Sequence, residues 1–347
     1  MNQPEQPNPG ETKPDSITQP FTAADLPIDE NGRIYHLQVK PEQIAPDVIL
    51  VGDPGRAEFI GSTLIHDLEL EHEHRGLVTV TGFCQITGEL ATIISPVRTA
   101  IITTGMGTPS LEIVLNELVA LNEIDFETRT RKTDFPRLRV IRLGSSGGLQ
   151  SSTQLGTPII TTYAIGLDNT GLFYEAPYPD QTCRRLEDEL DQLVTNAMSP
   201  DSRYYGKIKP YVSKAEPTLV NALVEAADKL GVPVKTGMTL SSPGFFIPEG
   251  RDISRLKPNI LELDKIFSEF DPGLEGQMVE NNEMEASFLL HFMGGLGHWA
   301  AAICPAIANR RLDTFSSNYQ QSMLDAAKVA LLALATVRNR VPDDRLH

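Results

Sequence analysis

The chain has 347 residues, 40% of them hydrophobic and 22% charged, which is enough apolar material for a sizeable core and too much for a disordered or fibrous protein. Asp and Glu number 46 against 30 Lys and Arg, a net charge of -16, and that sign excludes a protein that gathers DNA or RNA by phosphate contacts. An anionic ligand would have to be held by a few locally placed arginines against an unfavourable overall field. The three cysteines, Cys84, Cys183 and Cys304, are far apart with no CxxC spacing, which argues against a disulfide framework and a thiolate zinc site and fits a reducing cytoplasm. No basic-then-apolar leader and no apolar run of about 18 residues is present, so a soluble, cytoplasmic protein without a membrane segment is expected.

Residues 1 to about 30 carry Pro4, Pro7, Pro9, Pro14 and Pro20 among polar and acidic residues, a composition that predicts a flexible tail, with the folded domain spanning 31–347. The strand Val48 to Val51 runs into Gly52-Asp53-Pro54-Gly55-Arg56, and Leu77 to Phe83 and Leu90 to Ile94 alternate as hairpin-like strands. After the apolar run Ala100 to Thr104 comes Gly105-Met106-Gly107-Thr108-Pro109-Ser110, and Leu111 to Leu121 recurs with helical period. Charged residues from Glu123 to Lys132 read as a surface excursion. Val140 to Leu143 is a buried strand that empties into Gly144-Ser145-Ser146-Gly147-Gly148.

A further strand follows at Pro158 to Tyr163, and Arg184 to Ala197 and Glu216 to Leu230 are amphipathic helices. Glu280 to Glu285 precedes a helix from Ala286 to Leu296, Trp299 to Ile307 is a small-residue strand, and Tyr319 to Val337 is the last helix. Strands alternating with helices along the whole length predict an α/β fold, a central mixed β-sheet with helices on both faces. Length alone allows two domains, yet no internal linker and no repeat of 20 to 50 residues is visible.

Two strand ends carry a glycine loop with an arginine, Gly52 to Arg56 and Arg142 to Gly148. Glycines let backbone N–H groups approach an oxyanion, and hydroxyls and guanidiniums add charge-assisted hydrogen bonds, although either loop alone is also an ordinary βα turn. Neither matches a Walker A or G-x-G-x-x-G pattern, so free phosphate fits better than a nucleotide. Glu283-Met284-Glu285 stands at a loop-to-helix junction, where a carboxylate can clamp vicinal sugar hydroxyls or simply favour the first helical turn. His72 and His74 form a His-x-His with no third ligand nearby, so a solvated strand is expected and no metal site is assigned. No G-x-S-x-G elbow or evident Cys-His pair supports acyl-transfer chemistry.

Taken in order, Ile34 to Leu37, Ile49 to Arg56, His74-Arg75, Thr104 to Ser110, Arg142 to Gly148, Phe245 to Arg251 and Asn282 to Glu285 resemble the uridine phosphorylase branch of the nucleoside phosphorylase family, over about residues 34 to 337. Motifs spread from 36 to 285 that build one site imply one domain. The resemblance implies that Gly52, Arg56, Arg142 and Ser145 cradle phosphate and that Arg75 is lent to it by a neighbouring subunit. It further implies that His36 is lent to the ribose 5′-hydroxyl and that Glu283, Met284 and Glu285 hold the ribose. Phe245 would flank the base, with Glu249 and Arg251 at its polar edge.

The implied reaction is attack of inorganic phosphate on C1′ of a nucleoside, with no cofactor, in a homo-oligomer that the family builds as a hexamer. Arg142, Arg251 and Glu285 would carry the catalysis. Ser241-Ser242 is followed by Pro243, where the purine-selective branch has an aspartate to protonate N7. Two departures stand out. Glu249 occupies the place of a glutamine, which leaves open a 6-oxopurine in place of uridine. Gly76 occupies the place of a glutamate that helps bind a monovalent cation between subunits in bacterial relatives, so no such ion is expected. Hydrolytic nucleosidase activity and a weakly catalytic nucleoside-binding protein are the alternative functions.

Overall fold

The computed structural model describes residues 19–84, 96–342 and 344–347. The expected strand at 90–94 and residues 1–18 of the expected tail lie outside the described residues. Runs of β-branched and small apolar residues form the principal strands: β1 (Asp47–Val51), β2 (Ile65–His74), β3 (Leu77–Cys84), β4 (Val97–Thr103), β5 (Arg139–Leu143), β6 (Ser146–Gly148), β7 (Pro158–Gly166), β8 (Tyr211–Lys214), β9 (Lys235–Ser241), β10 (Val279–Glu283) and β11 (Trp299–Asn309). Helices α1 (Pro54–Leu64), α2 (Thr108–Glu123), α3 (Gln181–Ala197), α4 (Pro217–Leu230), α5 (Leu263–Glu269), α6 (Ala286–Gly295) and α7 (Gln320–Arg340) fall between them.

These strands join one mixed sheet in the order β8-β7-β9-β10-β6-β11-β5-β1-β4-β3-β2. In one half β11, β5, β1 and β4 run parallel. In the other β7, β9 and β10 run parallel to each other and opposite to the first half, through the β7–β11 and β10–β6 pairings. Successive side chains along β1, β4 and β5 alternate between two cores, as the period of a strand requires. Ile49, Val51, Ile101, Ile141 and Leu143 pack with α1, α4 and α7, whereas Val48, Leu50, Ile102 and Val140 pack with α2 and α6. A third core joins β7, β9 and β10 to α3 and α5. The result is one α/β domain with helices on both faces of the sheet, as the alternating pattern predicts.

Two expectations are corrected. Within the segment assigned to the tail, residues 20–30 pack on the domain: Leu26 is buried, the Phe21 N–H donates to the Arg129 carbonyl at 2.8 Å, and the Arg129 guanidinium returns bonds to the carbonyls of Phe21, Thr22 and Leu26. Three apolar residues, Phe21, Leu26 and Ile28, are enough for docking but too few to raise the average of a proline-rich stretch. The Glu123–Lys132 excursion is not wholly superficial either. Ile124-Asp125 pairs with Thr130-Arg131, and the buried Glu123 carboxylate takes the Arg131 guanidinium and, at 2.9 Å, His298 Nε2.

No helix among the described residues is long and apolar enough to cross a membrane. At the end of the sheet where β1 and β5 begin, the fully buried Asp47 accepts from Arg139 Nε at 2.5 Å and from Arg338 Nη1 of α7 at 2.8 Å, tying the C-terminal helix to the sheet. Breaking one side of such a buried pair leaves an uncompensated charge. Asp47→Asn is expected to destabilise the fold by about 3–5 kcal/mol, read from urea denaturation midpoints.

Candidate functional site

The two halves of the sheet run in opposite senses, so the C-terminal ends of β5 and β10 meet only because β6 and β11 intervene and bend the sheet between them. At that meeting point Arg142, buried in β5, donates from Nε to Glu283 Oε2 at 3.0 Å and from Nη2 to Glu285 Oε2. Its Nη1 is buried with no hydrogen-bond partner among the described residues. Glu283 closes β10 and caps α6: Oε1 accepts from Ser241 Oγ at 2.5 Å and from the Ala286 N–H at 2.9 Å. Glu285 reaches the other way, and its Oε1 accepts the Gly107 N–H at 2.6 Å.

Gly107 is the N-cap of α2 with φ of 83°, a left-handed conformation that glycine adopts without strain and that turns its N–H toward Glu285. The Met284 methyl lies beside it, 3.7 Å from where a Cβ on Gly107 would stand. Burial depresses the Arg142 pKa, but Glu285 and Glu283 more than offset this and hold it above the usual arginine range. Burial raises the Glu285 carboxyl; Arg142 opposes that rise and Glu283 adds to it. The cluster is a cation clamped by two carboxylates with one guanidinium nitrogen to spare.

Arg56 approaches the same place from α1, whose N-cap is Asp53, and donates from Nη1 to the Leu143 carbonyl at 3.2 Å. Burial, and after it the Arg142 charge, lowers the Arg56 pKa, so two guanidiniums repel across this point and an oxyanion between them would be stabilised. Gly144 leaves room for Arg142 itself, because a Cβ there would stand 2.8 Å from Cys304 Sγ and 3.1 Å from Arg142 Nη2. Gly52 lies under the Gly105 carbonyl in the same way, at 3.4 Å. Ser145 lies in the link between β5 and β6, next to Gly144.

Glu249 and Arg251 line the neighbouring pocket, and Phe245, half exposed and outside its lining, stacks on Arg251. Glu249 ends a short 3-10 turn, its side chain is buried, and Oε2 accepts from Arg251 Nη1. The Arg251 guanidinium lies 3.9 Å from the centre of the Phe245 ring and donates to the Phe245 carbonyl at 2.7 Å. Gly147, Gly148, Asn282 and Arg310 complete the walls, and Asn282 immediately precedes Glu283, so this pocket abuts the Arg142 cluster. Burial pushes the Glu249 carboxyl up to about 7; Arg251 limits the rise, and Glu283 and Glu285 add to it.

His36 and Arg75 are not brought to this place. The His36 ring bonds Glu117, midway along α2, ten residues past Gly107, which is about 15 Å of helix. Arg75 sits in the tight turn between β2 and β3 and lies over the Tyr35 ring, 5.4 Å from its centre. Between them His74 Nδ1 donates to the His36 carbonyl at 2.9 Å, so His74, His36, Tyr35 and Arg75 form one patch of their own.

Several participants have roles that the sequence motifs do not reveal, although Gly107 and Ser241 stand within quoted stretches. The Gly107 N–H and Ser241 Oγ fix the two carboxylates, and Arg310 donates from Nη1 to the Glu249 carbonyl at 3.1 Å while facing Asp264. Asn309-Arg310 at the end of the β11 pattern is the only local signal for the last of these. Chemically, the arrangement offers spare guanidinium donors for an oxyanion, a fixed carboxylate for hydroxyls beside them, and a pocket with a carboxyl–guanidinium pair.

Residues 46–337 match the sequence model of the Phosphorylase superfamily. The uridine phosphorylase of Thermococcus kodakarensis is 28% identical over 324 residues, 92% of this chain and 93% of that protein. A DeoD-type purine nucleoside phosphorylase of an Exiguobacterium species is 26% identical over 211 residues, 61% of this chain and 66% of its own. A solved Trypanosoma brucei nucleoside phosphorylase, described as showing uridine phosphorylase activity, is similar with a TM-score of 0.78 and 26% identity, over 90% of this chain and 100% of that one.

Filling the gap at Gly144 tests the geometry. Gly144→Ala is expected to weaken binding of inorganic phosphate by roughly ten-fold in calorimetric titration, since overpacking typically costs about 1–3 kcal/mol. Gly294→Ala, in α6 with nothing within 4 Å of the added carbon, is the matched control and leaves binding unchanged.

Proposed function

The chain belongs to the phosphorylase superfamily, and from that premise we propose that it cleaves nucleosides with inorganic phosphate, uridine above all, to free base and ribose 1-phosphate. The observation that carries this reading is the buried Arg142, whose Nη1 is unpartnered beside a carboxylate held in place by the Gly107 N–H. A buried donor without an acceptor is costly, and an anion there would satisfy it.

In this reading Arg56 and Arg142, with Gly52 and Ser145 beside them, hold phosphate on one side of C1′ and thereby remove the cost of a bimolecular encounter. Glu283 orients Arg142, Met284 packs the sugar, and Glu285 accepts from the ribose hydroxyls. As the C1′–N1 bond breaks and the C1′–O bond to phosphate forms, the departing electron pair spreads onto the pyrimidine carbonyl oxygens. Arg251 faces that charge and stabilises it electrostatically. Phe245 flanks the base. The reaction asks for no metal or organic cofactor.

His36 and Arg75, too far along α2 to serve their own subunit's site, act on a neighbour's, Arg75 toward phosphate and His36 toward the 5′-hydroxyl. A homo-oligomer with shared sites follows, a hexamer by the family's habit, working in the cytoplasm. Hydrolysis is the weaker alternative, because water has no use for paired guanidiniums. Uracil release is expected to require inorganic phosphate and to yield ribose 1-phosphate, assayed over uridine, thymidine, inosine and guanosine with and without phosphate. Equal release in phosphate-free buffer would make the protein a nucleosidase, and binding without turnover a nucleoside-binding protein.

Glu249 decides the base. Its carboxyl, raised to about 7 by burial, is neutral below that pH, where its C=O accepts from N3–H and its O–H donates to a base carbonyl, as an amide would. Above that pH it only accepts, and it repels the carbonyl. An ionised Glu249 would suit the two adjacent donors of guanine, but the burial favours the neutral form and uridine. The ratio of kcat/KM for uridine between the wild type and Glu249→Gln, which cancels the ionisation of phosphate itself, is expected to fall as pH rises through about 7. A flat ratio together with purine-only turnover overturns the uridine assignment.

A further inference from the structure

Glu117 is a buried carboxylate in the middle of α2, and all of its hydrogen bonds among the described residues go to one short stretch of chain 80 residues away. Oε1 accepts from the His36 backbone N–H at 2.8 Å and from ring Nδ1 at 2.7 Å; Oε2 accepts the Leu37 N–H at 2.8 Å. An ionised carboxylate can only accept, so in the neutral ring Nδ1 carries the proton and Nε2 is the bare nitrogen. Nε2 has no partner among the described residues, and the His36 side chain is 30% exposed against 10% for Glu117.

Every other freedom of that ring is taken up. Ile34 and Leu37 on either side are buried, the His36 carbonyl accepts from His74 Nδ1, and Tyr35 meets the ring edge-on with centroids 4.8 Å apart. Gln38 closes the turn in the left-handed region with φ of 53°. A carboxylate that served only to staple the loop to the helix would need the two backbone N–H groups alone. Here it also fixes the tautomer and the aim of an imidazole whose remaining nitrogen faces outward.

We propose that Glu117 is a positioning residue that presents His36 Nε2 as a preset acceptor for the 5′-hydroxyl of a nucleoside bound in a neighbouring subunit, so that it sets the preference for sugars with a free 5′-hydroxyl. This rests on the reading that His36 is lent across a subunit interface. A preset acceptor loses no tautomeric or rotational freedom when substrate arrives, and an analogue lacking the hydroxyl leaves Nε2 unpaired.

The test compares kcat/KM for uridine and 5′-deoxyuridine, with inorganic phosphate, in the assembled wild type, His36→Ala, Glu117→Gln and the double variant. The wild type is expected to prefer uridine and His36→Ala to lose that preference. Glu117→Gln is expected to lose about five-fold or more of it, the equivalent of one hydrogen bond, through a rise in KM for uridine, with KM for phosphate within about two-fold. The double variant is then no worse than His36→Ala. A smaller loss in Glu117→Gln, with His36→Ala losing the preference, makes Glu117 a plain staple and overturns the proposal. Retention of the preference in His36→Ala instead overturns the shared-site reading on which it rests. Should Glu117→Gln fail to assemble, NMR of the wild type labelled with 13C and 15N at its seven histidines decides: His36 protonated at Nδ1 supports the proposal, and at Nε2 overturns it.

Discussion

The constraint on which the site depends is the pairing of one buried arginine with two carboxylates drawn from the end of a strand that runs in the opposite sense. Arg142, Glu283 and Glu285 are all nearly sealed from solvent, and burying a charge there without a partner would be costly. Among the described residues their mutual satisfaction is incomplete at Arg142 Nη1. A structural salt bridge gains nothing from leaving a buried donor open, whereas a binding site needs one.

The fold explains how such a cluster comes to exist. An all-parallel sheet would carry Arg142 and Glu283 to the same edge in separate loops; here the reversal between β10 and β11, bridged by the three residues of β6, folds one half of the sheet back toward the other. The strand ends that converge are followed by glycines or by helix starts, which supply backbone N–H groups where charge collects. Gly107 shows the economy of this. One residue begins α2, borders Met284 and donates to Glu285, and its positive φ is what calls for glycine there.

Much of this architecture is legible in the sequence, and the parts that are not share a physical reason. β1, β4, β5, α4 and α7 announce themselves because their apolar periods are long and their ends carry Gly, Pro or Asp. Arg142, Glu283 and Glu285 are conspicuous because charged residues beside buried strands demand partners. Partners supplied by backbone N–H groups, such as Gly107, or by side chains 80 to 178 residues away, such as Glu117 and Glu285, leave no local trace. Docking of Phe21 and Leu26 is hidden for a different reason, since a few apolar residues in a proline-rich stretch carry no period. The Arg75–His36 patch is visible as residues and opaque as geometry, because its separation from Arg142 is a property of the helix between them.

Charge arithmetic links that separation to assembly. Arg56 and Arg142 stand against Glu283 and Glu285, and in the adjoining pocket Arg310 stands against Asp264 and, where Glu249 is ionised, Arg251 against Glu249. The site is therefore near neutrality before any ligand enters, inside a chain whose net charge is -16. A phosphate dianion would leave it with two uncompensated negative charges in a poorly hydrated place, which neutral hydrogen bonds alone offset badly. A further cation would offset that excess, and in the reading proposed above it comes from a neighbouring subunit. Arg75 has no carboxylate partner among the described residues and rests on an aromatic ring, a setting that leaves its charge available to a neighbour. In the proposed shared site, a neighbour's Arg75 would supply the positive charge that an acidic subunit of net charge -16 is short of.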